Sequence, residues 1–436
     1  MREALLAAVL LAAAAAQDSH PSPSSAPASR PAPKVEELLA ITNADVETVT
    51  MGRLRGATVV TKGSKIWKVG RNVEVPAAAK RIDGTGLRVY PGLVAARAAG
   101  IGLLGFFGGG GKASDRYDPF QLEVTLALAG GLTTVCQSDA VMKVLAKGID
   151  GLVLRDPAFV RLTTPVGVAR VDLRERLEKA RRYLLDLREY EAKKAAGERD
   201  LQEPKKDGVD ETHLKLLRHE LPARFEVDGA EDMATILGLL DDYRFDAVFS
   251  GALEAWTMPG EIARRGVRCI VSPRRRQAAD ERNERPSGSS AEAAAILRRG
   301  GVEFCLYPPP GFDGGEIVTW DGIAGRDLQT LAMDAAWAIR GGLDEQAALE
   351  SITIAAARIL GVDHRVGSIE PGKDADLIVT DGSIFDFRTF VQTTIVNGVV
   401  QYEKAKSPLF SKIRPREAPP GEVPASAPAT KPESGD

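Results

Sequence analysis

Two patterns in this 436-residue chain predict an α/β fold: a middle that alternates strand and helix signals, and β-rich runs on both sides of it. Alternation over such a length implies a parallel sheet, and a closed TIM-like (β/α)8 barrel of about 250 residues is one compact solution. The flanking strands predict one small β-sandwich domain built from both chain ends. With 44% hydrophobic and 27% charged residues, the composition is that of a globular protein, and the length suits one large domain with an accessory one.

The chain opens with Arg2, an apolar run from Leu5 to Ala16, and the small residues Ala14, Ala15 and Ala16 before Gln17. This pattern predicts a signal peptide over residues 1–16, because the run is shorter than the ~20 residues a bilayer span needs. The expected location is periplasmic or secreted, with no membrane span after cleavage. Residues 17–34 are Pro, Ser and Ala with few large apolar side chains, and read as a disordered linker. Residues 406–436 read as a second disordered, Pro-rich tail, of that composition from residue 414 onward. The net charge of −3 offers no concentrated basic face, which argues against a nucleic-acid partner.

The first strand signals are Leu39–Ile41, Ala57–Thr61 and Ile66–Val69, punctuated by Gly56, Gly63 and Gly70. In the middle, short apolar runs at Leu132–Cys136, Arg224–Val227, Ala247–Phe249, Cys269–Val271 and Val302–Leu306 predict the sheet strands. A helix is predicted from about Leu173 to Ala196, with Leu173, Leu177, Ala180, Leu184, Leu187 and Tyr190 forming its buried stripe. Residues 197–210 are polar and predict an exposed loop. The last strands are Leu377–Thr380, Thr393–Val396 and Val399–Val400, the latter two joined by an Asn397-Gly398 hairpin turn. Cys136, Cys269 and Cys305 lack CxxC spacing and sit in apolar runs, so they read as buried free thiols.

Ile82-Asp83-Gly84-Thr85-Gly86-Leu87-Arg88-Val89-Tyr90, followed by Pro91-Gly92-Leu93-Val94-Ala95-Ala96-Arg97-Ala98-Ala99, resembles the strand entry and PGFxDxHxH segment of the amidohydrolase superfamily. Residues 365–378 (RVGSIEPGKDADLI) are similar to that family's RxGSLEPGKDADLVV exit segment, and residues 353–361 (TIAAARILG) to its TxNPAxxLG helix. The resemblance covers about residues 35–405 and is closest to the imidazolonepropionase-like branch. It implies a barrel over residues 91–368 and a composite β-sandwich from residues 35–90 and 369–405.

The resemblance also implies a divalent metal such as zinc at the barrel mouth, lowering the pKa of a bound water for hydrolysis of C–N bonds. The positions that would hold it carry other residues. Arg97 and Ala99 stand at the HxH pair, and arginine has five donors and no acceptor. Glu226 and Asp228 stand at the histidines of the VHAHxADDI-like segment, Gly251 at that of the LEHGTEA-like one, and Pro309 at the final aspartate. The four histidines, His20, His213, His219 and His364, all fall away from predicted strand ends. No metal is therefore expected, and no catalytic residue is assigned.

Glu226 and Asp228, spaced i, i+2 on a strand, point to one side. They serve either as a carboxylate pair for a hard cation or as ion-pair partners of Arg97 filling the vacated site. The binding candidates are thus Arg97, Glu226 and Asp228. The Gly-rich run Gly108–Gly111 before Lys112 departs from a phosphate loop and reads as a loop over the mouth. Arg274-Arg275-Arg276 resembles the family's SPRRK-type loop, and reads as solvated or as an anion contact. The functional expectation is an exported pseudoenzyme with a binding or scaffold role, partnered by an active relative or by itself as a homo-oligomer. The alternative is a hydrolase of non-peptide C–N bonds through an atypical site.

Overall fold

The computed structural model describes residues 37–103, 112–163, 168–282, 284–308 and 331–413. The expected signal peptide, the 17–34 linker, Gly108–Gly111, Pro309 and the tail beyond residue 413 lie outside the described residues.

The first strands are β1 (Leu38–Glu47), β2 (Arg53–Lys62), β3 (Lys65–Gly70), β4 (Lys80–Asp83) and β5 (Arg88–Pro91). Next come β6 (Leu93–Ala95), β7 (Leu132–Gln137), β8 (Ala140–Lys143) and β9 (Val153–Arg155). A further run comprises β10 (Val160–Leu162), β11 (Ala223–Val227), β12 (Ala247–Gly251), β13 (Arg268–Val271) and β14 (Phe304–Leu306). The last are β15 (Leu377–Thr380), β16 (Val391–Val396) and β17 (Val399–Glu403).

Strands from both ends of this stretch share one eight-stranded sheet, ordered β17-β16-β15-β5-β1-β2-β3 with β4 on β1. The junction is the antiparallel β5–β15 pair, with Val89 opposite Val379. Ile41, Val59, Val89, Leu377, Val379 and Ile395 bury a common apolar face on it. The hairpin between β16 and β17 turns at Asn397 and Gly398, both at positive φ (52° and 75°), as a two-residue type I′ connection requires. A side chain at 398 is also excluded sterically, since an added Cβ would lie 2.0 Å from the Gly63 carbonyl oxygen.

Strands β10 to β14 form a five-stranded sheet in sequence order, every pair parallel. Parallel neighbours need a crossover, and helices Ala230–Tyr243, Pro259–Arg264 and Ala293–Arg299 supply one after β11, β12 and β13. Every residue of β12 and β14 is buried, the continuous apolar run expected of a sheet covered on both faces. A second sheet, β6-β7-β8-β9, starts with a parallel pair and continues antiparallel. The fold is mixed α/β, and parallel pairing also enters the eight-stranded sheet where β1 meets β4 and β5.

The long helix spans Val168–Ala195. Leu173, Leu177 and Ala180 of its stripe are buried, whereas Leu184, Leu187 and Tyr190 are half-exposed where the helix runs past the core. Residues 406–413 belong to the described chain: Phe410 packs against the main core and the Lys404 Nζ donates to the Ile413 carbonyl at 3.0 Å. Cys136, Cys269 and Cys305 are buried free thiols, and burial alone pushes Cys269 up to about 12. No described helix is long and apolar enough to cross a membrane.

Candidate functional site

Because β11 to β14 run parallel, their C-terminal ends open on the same side, and the side chains just beyond those ends converge there. Arg97 lies two residues past β6 and reaches across to the other sheet. Its Nη1 sits 3.0 Å from Glu226 Oε2 and donates to Ser250 Oγ at 3.2 Å. These two acceptors are neighbours because Glu226 and Ser250 are paired in register on β11 and β12. The guanidinium also stacks on Tyr307, 5.1 Å from the ring centroid.

The other Glu226 oxygen, Oε1, is taken by Arg224, at 2.9 Å from Nε and 2.8 Å from Nη2. Arg224 shares a strand face with Glu226 by the two-residue repeat of β11, and is almost fully buried. It continues to Asp139 Oδ1 at 3.0 Å, while Arg161 holds Asp139 Oδ2 at 3.2 Å. A buried guanidinium is tolerated only when its donors are answered this way.

Asp228 pairs with Arg275, not with Arg97: Arg275 Nη1 donates to Asp228 Oδ1 at 2.5 Å. Burial weakens the charged form of Arg275, but the Asp228 hydrogen bond and charge outweigh it and hold the group above its ordinary range. Space for this carboxylate depends on Gly251, which has φ +92° and whose added Cβ would lie 2.5 Å from Asp228 Oδ1. Beside it, Glu254 accepts from the Ala230 and Gly288 amides at 2.9 and 2.6 Å, anchoring the start of helix Ala230–Tyr243.

The expected solvated arginine loop is instead tied down on all three residues. Arg274 makes a forked pair with the fully buried Asp334, at 2.6 and 3.1 Å. Arg275 holds Asp228, and Arg276 donates to the Pro273 carbonyl at 3.0 Å. A loop rich in forked donors orders itself wherever carboxylates and carbonyls lie within reach.

Tyr307 follows β14 and is 3% exposed. Its hydroxyl has no hydrogen-bond partner among the described residues. Burial pushes the phenol above its ordinary value, Arg97 and Arg275 pull it down, and Asp228 and Glu226 push it up again, so the ring lies among all four charges. Arg275 approaches the hydroxyl without completing a bond to it. The Ser272 hydroxyl is likewise buried and unpartnered.

The structure thus joins Arg97 to Glu226, gives Asp228 a different arginine, and adds Arg224, Arg275, Ser250, Asp139 and Tyr307. A divalent cation does not fit this donor set. Both Glu226 oxygens and one of Asp228 are held by guanidiniums, Ala99 and Gly251 offer no ligating side chain, and Arg97 brings positive charge to the spot. Among the described residues no group of three His, Cys, Asp or Glu side chains converges to hold a metal. His213 is buried in helix Glu211–Leu217, and His219 and His364 are exposed.

Comparison with known proteins agrees with this architecture. Residues 282–401 match the model of the amidohydrolase family. A 59-residue stretch is 39% identical to adenine deaminase 4 of Rhizobium meliloti (strain 1021), covering 14% of this chain and 9% of that protein. Among solved structures, an amidohydrolase from Thermotoga maritima MSB8 has a TM-score of 0.62 and 26% identity, over 84% of this chain and all of that one. Molinate hydrolase shares the fold at a TM-score of 0.51 and 17% identity, over 88% of this chain and 99% of its own.

Proposed function

We propose that the chain is a member of the amidohydrolase superfamily, supported by the family match over residues 282–401 and the fold shared with an amidohydrolase, and that it is a catalytically inactive pseudoenzyme with a binding or scaffold role. The observation that carries this reading is the occupation of Glu226: both of its oxygens are held by guanidiniums, one of them from Arg97 at the HxH position. A fold does not confer a reaction when the groups that perform it are replaced. Within the superfamily the proposal assigns the chain to the imidazolonepropionase-like branch, with a closed (β/α)8 barrel and a β-sandwich built from both chain ends. It includes export to the periplasm or medium, supported by residues 1–16, and assembly with an active relative or with itself.

A second reading, hydrolysis of a non-peptide C–N bond at Glu226 and Asp228, draws on the partial exposure of both carboxylates (38% and 40% of the side chain). Elemental analysis of the purified chain, with turnover assays on lactam, hydantoin and dipeptide substrates, separates the two. The pseudoenzyme reading expects well under one equivalent of zinc, iron or manganese and no turnover. One tightly bound equivalent, or turnover abolished by Glu226→Gln, would overturn it.

A further inference from the structure

A second opening lies at the far end of β6 from the arginine cluster. Leu93 begins that strand, Arg97 lies two residues past its other end, and Leu93 forms part of the wall of a cleft of about 180 Å³. Helix Leu331–Arg340, strand β15 and the turn before β16 meet there, contributing Met333, Ile378 and Phe387 to its walls. Leu93, Ile378 and Tyr402 are buried, whereas Phe387 and Met333 are 78% and 41% exposed and form its open side. An aromatic side chain left in water at the rim of an apolar cleft marks a place where something apolar is bound.

The walls narrow the class of ligand. Aromatic residues make up 6% of the chain, yet four of them, Phe387, Phe390, Tyr402 and Phe410, line this one cleft. Its ionisable groups are already satisfied: Arg388 holds Asp386 in a fork at 3.0 and 2.7 Å, and burial keeps the Tyr402 phenol protonated. A charged ligand would shed its water here and meet no spare counter-charge, while an apolar one gains by leaving water. Size sets the rest. An apolar cavity of roughly 150 Å³ accepts benzene, so this cleft has room for one ring with a small substituent. Edge-to-face and offset contacts with the lining rings favour an aromatic guest over a saturated one by roughly 2- to 10-fold. We infer that this cleft is a binding site for a neutral molecule with a single aromatic ring.

Ligand-detected NMR titration of the full purified chain at pH 7 tests it, with phenol, its saturated counterpart cyclohexanol, and benzoate as probes. Phenol should bind with a Kd of about 1 mM or tighter, roughly 2- to 10-fold more tightly than cyclohexanol. Benzoate should bind at least about 10-fold more weakly than phenol, because its charge is desolvated without a partner. Phe387→Ala removes an exposed ring that the fold does not bury, and should weaken phenol binding at least ~3-fold. Ala332→Leu, on the half-buried face of helix Leu331–Arg340, fills the cleft from one wall and should abolish binding. Circular dichroism and melting curves confirm that each variant is folded, and Phe387→Ala suffices if Ala332→Leu is not. No phenol binding up to ~10 mM, equal binding of phenol and cyclohexanol, benzoate as tight as phenol, or an unchanged Kd in either folded variant would overturn the inference. The cleft is separate from the arginine cluster, so metal content and turnover do not enter the test.

Discussion

Lys143 is a fully buried charge, inaccessible at the end of β8. Its ammonium lies 3.0 Å from Asp374 Oδ2 and in contact with Asp376, both themselves buried. Lys65 and Arg365 complete the neutralisation of Asp374, at 2.6 and 2.8 Å, and Asp376 also accepts from the Asn397 amide at 2.9 Å. The network fastens β8 to the turn that feeds β15, so it joins the two halves of the chain. Lys143→Met replaces the ammonium with an apolar group of similar length and leaves two buried carboxylates short of a partner. Breaking one side of such a pair costs about 3–5 kcal/mol. For a unit of roughly 400 residues, an unfolding entropy of ~2.1 cal/mol/K per residue turns that into a melting-point drop of about 4–6 °C. Burial opposes ionisation of Asp374, but Lys143, Lys65 and Arg365 outweigh it and hold the carboxyl below its ordinary value. A carboxyl so depressed contributes stability above its unfolded pKa of ~3.9 and loses it as pH falls through the folded value. In the variant burial is less opposed, so protonation relieves it first and the gap to wild type narrows between about pH 7 and pH 4. Calorimetry across that range reads both effects, with Asp376→Asn in the variant background recovering part of the loss. A drop below ~1 °C, or one that does not narrow in acid, would refute the reasoning.

Two further outcomes follow from single residues. Gly251→Ala combines a φ of +92° with a Cβ 2.5 Å from Asp228 Oδ1, so it should cost about 1–3 kcal/mol by thermal denaturation. Gly238→Ala, inside a helix with nothing within 4 Å, should instead be neutral or stabilising by up to ~1 kcal/mol. Equal effects at the two sites would contradict the assigned backbone. The Tyr117 hydroxyl donates to the Leu145 carbonyl at 2.9 Å and accepts from its amide at 2.8 Å, and burial pushes the phenol up to about 12. A phenol raised in this way gives stability that is complete below its unfolded pKa of ~10 and is lost as pH rises toward 12. Urea midpoints should therefore fall between about pH 10 and 12 in wild type more steeply than in Tyr117→Phe. The variant should also lose about 1–3 kcal/mol at neutral pH through the orphaned Leu145 groups. Parallel pH profiles would disprove the assignment.

The strands of the parallel sheet were legible because burial on both faces writes them as unbroken apolar runs, such as Ala247–Phe249 and Cys269–Val271. The Asn397-Gly398 hairpin was legible because few other pairs adopt two successive positive φ values. The β7–β8 turn makes the same demand at Ser138 and Asp139, φ 50° and 65°, without a glycine to announce it. That is why β8 and β9 went unread. The short β10, three residues long, has too few positions to show a period at all.

The site divides along a similar line. Arg97 and Glu226 could be read because both lie within or just past strand segments whose motif fixes their register. Arg275 and Tyr307 could not, because what brings them to Asp228 and Arg97 is the path of a loop and the end of a neighbouring strand, and neither leaves a periodic trace. Arg224 was hidden differently: it sat in plain view as a strand residue, yet nothing in a lone sequence says that a buried arginine will find Asp139 85 positions away. The consequence is physical. Carboxylates gathered at the end of a parallel sheet must be neutralised, here from within the chain. Here that counter-charge comes from four arginines on different segments, a collective answer that no single motif position records.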